Sequence, residues 1–262
     1  MKYTSIFGFM PYGDEWRTHR RIFQQHFSEK NLSVMREREL VLVRKCLLAN
    51  LLGSPHNLHE HVRNYVGGLA TSLTYGLPVQ RQHDPIVHLA EETFAQSTGT
   101  LAPGKYYVNI FPILQHVPEW MPGSGFKQEA KRIKKLLDRV MEEPYQAALK
   151  MMEDTEVPSC FVSESLEKRR GSPDFDNYSQ CVKEIATSVF GGTSETTFAA
   201  VMSFVLAMLL RPDVQHKAQQ ELDKSIGPDR LPDFSDLSEL TYLSAIVKET
   251  LRLVTHTLTE LE

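Results

Sequence analysis

The feature that most constrains this chain is a stretch without proline between Pro173 and Pro212. Proline inside an α-helix removes a hydrogen bond and clashes with the preceding turn, so these two residues set outer limits for a helix. Tyr178 to Leu210 reads as one long helix within them. Its most apolar part, Phe198 to Leu210 (FAAVMSFVLAMLL), is short for a bilayer span and reads as a buried core helix.

Other elements repeat the helical pattern. Ser33 to Leu52 carries Leu40, Val43 and Leu47 at helical spacing and stops at Gly53-Ser54-Pro55. His56 to Tyr75 and Pro85 to Thr98 follow, closed by Gly76 with Pro78 and by Pro103-Gly104. From Lys127 onward Ala130, Ile133, Leu137 and Val140 share one face, with Pro144 as an expected kink. Asp213 to Ile226 and Leu237 to Leu253 complete the set, Pro212 suiting a first helical turn. Between them, Lys105 to Phe126 is different, because Pro112, Pro118 and Pro122 forbid a continuous helix among Tyr106, Tyr107, Phe111 and Trp120. Glu164 to Asp176 is charged, contains Gly-Ser-Pro, and reads as a mobile linker. The class is mainly α.

Composition narrows the function. With 24% charged and 41% hydrophobic residues and a net charge of −4, the chain is globular and is not expected to bind nucleic acid. Cys46, Cys160 and Cys181 lie far apart, so neither a disulfide scaffold nor a cysteine–zinc site is expected. His56, His59 and His61 straddle a helix start and read as solvated, and Lys127 to Lys135 reads as a solvated basic face.

Three constellations carry chemistry. In PYGDEWRTHRRIF, Trp16 and Arg20 stand at i and i+4, two pure donors on one helix face, suited to a carboxylate ligand or simply lying along a surface. Gly191 to Thr197 (GGTSETT) is poor helix material inside an apolar helix, which marks either a ligand groove or a tight helix crossing. Glu249 and Arg252, at i and i+3 in YLSAIVKETLRL, form an acid–base pair beside an apolar arc, a spacing consistent with a buried structural ion pair.

Taken in this order, the three motifs resemble the cytochrome P450 haem-thiolate monooxygenases. FPILQHVPEWMPGSGF and LLRPDVQHKAQQELD point to fungal microsomal, O-methylsterigmatocystin oxidoreductase-like members. The resemblance covers at least Pro11 to Leu253 and treats residues 1–262 as one partial domain, the helical core of that fold truncated at both ends. It implies haem as cofactor, with Trp16 and Arg20 on a propionate. It assigns Glu195 and Thr196 to proton delivery to oxygen, and Glu249 with Arg252 to a structural role. Phe190 and Gly191 are expected on the substrate side. The implied activity is oxygen insertion into an apolar small molecule, with NADPH electrons arriving through a reductase docked near Arg17, Arg21 and Lys30. The implied place is the cytosolic face of the endoplasmic reticulum, through an N-terminal anchor not in this sequence. The family's axial cysteine lies in a loop after the Glu-x-x-Arg helix, and no cysteine follows Arg252 here. A non-catalytic remnant unable to ligate iron is therefore the alternative.

Overall fold

A computed structural model describes residues 6–28, 31–80, 84–101, 104–154 and 158–259. These residues form helices and turns, with no strand among them. The chain divides into two compact units, Met1–Leu32 with Gly67–Gly192, and Ser33–Val66 with Thr193–Glu262.

The first unit begins with α1 (Asp14–His26), whose first-turn acids Asp14 and Glu15 complement the helix dipole. One stripe of α1, His19, Ile22 and His26, faces inward. The second half of α4 (Leu58–Tyr75) leads to α5 (Pro85–Leu101). Buried Asp84 caps α5, accepting from the Ile86 and Val87 amides at 3.0 and 3.3 Å. A side chain at Gly67 would stand 2.5 Å from Val87 Cγ1, so only glycine lets these elements approach so closely. The segment after α5 holds a short α6 (Tyr107–Ile110) and one 3₁₀ turn, as its prolines require.

The helix α7 (Gly125–Asp154) runs through Pro144 without ending. Its basic face is solvated and ion-paired, with Lys131 on Glu119 and Lys134 on Asp138. Next, α8 (Phe161–Glu167) is closed at its start by Cys160 and Ser163, each accepting the other's amide. The expected linker is thus helical at its beginning, because Phe161, Val162 and Leu166 give α8 a buried face. The core joins Tyr75, Val140, Tyr145, Phe161 and Leu166 to Val182, Ile185 and Phe190 from the first part of α9 (Phe175–Leu210).

In the second unit, the helix expected over Ser33 to Leu52 is α2 (Leu32–Leu42), a π-helical turn (Val43–Leu48) and α3 (Ala49–Gly53). The π-turn has no sequence signal that we recognise. The first half of α4 buries His61, Val62 and Tyr65. His61 is therefore not solvated as expected; its ring bonds Ser54 at 2.9 Å. After α10 (Pro212–Ser225) comes α11 (Thr241–Thr259), whose Tyr242 and Leu243 amides donate to Glu221 of α10 at 2.8 and 2.9 Å. These bonds hold the Glu221 carboxyl below its usual range. The Arg230–Asp236 bridge (2.5 Å) fixes the turn before α11 and brings the Asp236 carboxyl down to about 2.

Phe198 to Leu210 departs from the expected core helix. Its residues are half-buried or exposed, and Leu209 and Leu210 are each 70% exposed. Taken whole, α9 is long and apolar enough to cross a membrane by length and composition. The single long helix expected over Tyr178 to Leu210 is present; only the apolar run within it looked too short for a span. Val182, Ile185 and Ala186 are nonetheless core residues of the first unit.

Candidate functional site

In the first unit, α5, α7 and α9 enclose a cavity of about 250 Å³ with the segment before α1. Phe9, Phe94 and Leu137 supply its apolar walls, and Gly191 and Gly192 open it toward α9. The two glycines divide the two readings of GGTSETT between them. A Cβ on Gly191 would lie 2.3 Å from Phe94 Cζ, so this position is a tight helix crossing. A Cβ on Gly192 would meet nothing within 4 Å, so this position borders open space. The backbone stays α-helical throughout. Phe190, expected on the substrate side, is fully buried in the core and meets Tyr75 edge-on at 5.9 Å. Successive residues are rotated by about 100° on a helix, which separates Phe190 from the face of Gly191.

The expected donor pair lies on α1. Trp16 is half-buried between Phe7 and Tyr12, at ring distances of 6.0 and 5.2 Å. Arg20 is exposed, its guanidinium 5.7 Å from the Phe23 ring. Neither the indole N–H nor the guanidinium has a hydrogen-bond partner among the described residues. Two unpaired donors one turn apart fit the acidic edge of a haem.

The cysteines do not fit its iron. Cys46 is buried within a helix, and Cys160 is engaged in the cap of α8. Burial, with the Glu184 and Glu15 charges, pushes the Cys181 thiol up, so that in the metal-free protein it is held as a thiol. Among the described residues no group of three His, Cys, Asp or Glu side chains could hold a metal ion.

In the second unit, Glu195 is held by Arg63, whose Nη1 donates to Oε1 at 2.7 Å. The same guanidinium lies 3.7 Å from the Phe198 ring centroid, and His59 meets that ring edge-on at 4.8 Å. Thr196 is exposed. Glu249 and Arg252 do pair, Nε to Oε2 at 2.9 Å with a second bond between Nη2 and Oε1. Both are more than half exposed, so the pair is not the buried one that the apolar arc suggested. The arc itself explains this, since Val247 and Leu251 beside it are also exposed.

Sequence reasoning passed over His19 and Phe94, and read Arg63, at i+3 from Glu60, as solvated, whereas it is largely buried on Glu195. His19 is fully buried, with Nε2 2.9 Å from Glu184 Oε2 and Nδ1 2.9 Å from the Glu15 carbonyl. Burial opposes its charge, but the bonds to Glu184 and Glu15 and their negative charges outweigh burial and raise its pKa. The signal was present in the spacing of His19, Ile22 and His26. Arg63 and Phe94 carry no comparable signal, because their partners are remote in sequence.

Comparison with known proteins places these observations. The chain is 35% identical over 248 residues to a cytochrome P450 monooxygenase of Armillaria gallica, covering 94% of this chain and 48% of that protein. It is 36% identical to the cytochrome P450 monooxygenase ple1 of Rhodocybe pseudopiperita, over 93% of this chain and 46% of that one. It is 32% identical to the tryptamine 4-monooxygenase of Psilocybe cyanescens, over 94% and 48%. The chain thus spans about half the length of these curated relatives. The family model described as Cytochrome P450 matches residues 5–262, and the chain belongs to the cytochrome P450 family.

Proposed function

We propose that the protein acts as a haem-dependent monooxygenase on an apolar small molecule; its relatives' names support the monooxygenase part of this reading. The observation that carries this reading is the cavity walled by Phe9, Phe94 and Leu137 against Gly191 and Gly192, in a chain of this family. A site of this kind takes up an apolar ligand by removing both surfaces from water. Haem, when bound, supplies the oxygen activation. On this reading Trp16 and Arg20 donate to a propionate. With a haem bound, Glu195 and Thr196 would be the groups able to hold and pass protons, and Arg63 holds the Glu195 carboxylate at 2.7 Å. Glu249 and Arg252 would take their structural part only in the full-length protein, since here their pair is exposed. Electrons derive from NADPH through a reductase, for which exposed Arg17 and Arg21 offer positive charge; Lys30 lies outside the described residues.

The same reading puts the protein at the cytosolic face of the endoplasmic reticulum. Its support is the segment from Tyr107 to Met121, where Tyr107, Ile110, Phe111, Ile113 and Trp120 are exposed, Trp120 by 81%. Aromatic and aliphatic side chains in water at this density suit a membrane interface.

The test is Thr196→Ala in protein expressed at the full length of its relatives, with reductase and NADPH. Oxygen consumption should persist while the product formed per oxygen consumed falls. Unchanged coupling removes Thr196 from proton delivery.

A further inference from the structure

One wall of the cavity carries a hydroxyl that the protein does not satisfy. Ser97, on α5, lines the cavity and is only 7% exposed. Its Oγ is buried and has no hydrogen-bond partner among the described residues. The other hydroxyls at the cavity are in different circumstances. Thr187 Oγ1 donates to the Lys183 carbonyl at 2.9 Å. Ser188 Oγ donates to the Glu184 carbonyl at 2.9 Å and accepts from the Phe7 amide at 2.7 Å. Thr98 is exposed, so solvent serves its hydroxyl. Ser97 alone combines burial, a place on the wall and an unused donor and acceptor.

Buried polar groups in folded proteins are nearly always paired, and an unpaired one calls for an explanation. In the ligand-free protein a water can serve Ser97. A wholly apolar ligand that displaces this water forfeits the bond, whereas a ligand with its own hydroxyl or carbonyl recovers it. We infer that Ser97 orients the ligand of this cavity, and that this ligand is an apolar skeleton bearing one hydrogen-bonding oxygen next to α5. The inference rests on the reading of the cavity as a ligand site. Size agrees with it: a cavity of about 150 Å³ holds benzene, and the present one, at about 250 Å³, has room for a fused bicyclic skeleton. Phe94 holds the geometry, since its ring is seated against Gly191 and cannot swing toward α9.

The experiment is calorimetric titration of the 262-residue chain with naphthalene and with 1-naphthol, a pair differing by one hydroxyl. Wild type is compared with Ser97→Ala. The alanine should weaken 1-naphthol about fivefold, the factor of one net hydrogen bond. Naphthalene should stay within about twofold, which also reports that the variant is folded. Where the alanine variant loses naphthalene binding, Ser97→Cys decides, because it leaves no space vacated by the hydroxyl and weakens the donor. Equal responses of the two ligands, or an unchanged 1-naphthol affinity, overturn the role of Ser97 and leave the cavity reading standing. No binding of either ligand to wild type overturns both.

Discussion

The two ends of α9 have fates opposite to their composition: the charge-bearing first part supplies core residues, and the wholly uncharged Phe198 to Leu210 does not. Up to Phe190 its inward residues Val182, Ile185, Ala186 and Phe190 are fully buried, against Tyr75, Val140, Tyr145 and Phe161 from α4, α7 and α8. After Thr193, Ser194 is the only α9 residue buried among those described, and Leu206, Leu209 and Leu210 stand in solvent. An apolar run thus states a need for cover without stating whether the chain meets it. What decides is the number of helices that arrive at each half, and that is set by segments far away in sequence.

The sharpest way to break this contrast is a pair of truncations. Phe161, fully buried and stacked on Phe27 at 5.5 Å, should cost about 3–5 kcal/mol when replaced by alanine. Leu209→Ala should change stability by less than about 0.5 kcal/mol, as exposed substitutions do. Urea denaturation of both variants checks the pair. A loss of more than about 2 kcal/mol at Leu209 would mean that the second half of α9 is covered after all.

This contrast also explains what was legible in the sequence. Helix limits were readable because Gly and Pro act locally: Pro212 begins α10, and the prolines after Tyr107 hold that segment to short turns. The donor pair Trp16 and Arg20 followed from i,i+4 spacing, and α1 places it so. Burial was less legible, since it depends on what packs from elsewhere. Hence Phe198 to Leu210 was expected inside and is not, whereas His61 was expected outside and is buried by Ser54 and its surroundings. Ser97 and Phe94 sit in the unremarkable sequence ETFAQST, and only the cavity gives them meaning.

A second contrast is electrostatic. His19 in the first unit is a buried titratable group, while Glu249 and Arg252 in the second pair in solvent. The folded His19 is raised above 6.5 by Glu184 and Glu15 despite burial. Its charged pairing therefore stabilises the protein fully below pH 6.5, and this contribution is lost as pH rises through the folded value. His19→Gln should cost roughly 1–3 kcal/mol in acid, where a buried partner of Glu184 is removed, and less in base. Denaturant midpoints of both proteins between about pH 5 and 9 would show the difference narrowing upward. A difference that widens with pH would show that His19 is buried neutral. Arg252→Ala should leave the same measurement nearly unmoved at every pH, since an exposed pair is screened by solvent.

The finest comparison is between neighbours, Gly191 and Gly192. Both carry the intrinsic helix penalty of glycine, about 1 kcal/mol relative to alanine. At Gly192 nothing opposes a methyl group, so Gly192→Ala should stabilise by about 0.5–1 kcal/mol. At Gly191 the methyl would overlap the Phe94 ring, which must shift toward the cavity, so Gly191→Ala should destabilise by about 1–2 kcal/mol despite its better helix propensity. Adding Phe94→Leu, which withdraws the ring tip, should make Gly191→Ala neutral or favourable, and a double-mutant cycle in urea measures the coupling. The sign of that coupling separates two causes that look alike in sequence. Steric dependence on Phe94 makes Gly191 a crossing residue, and independence from it would leave the ligand side of α9 as the reason both glycines are there.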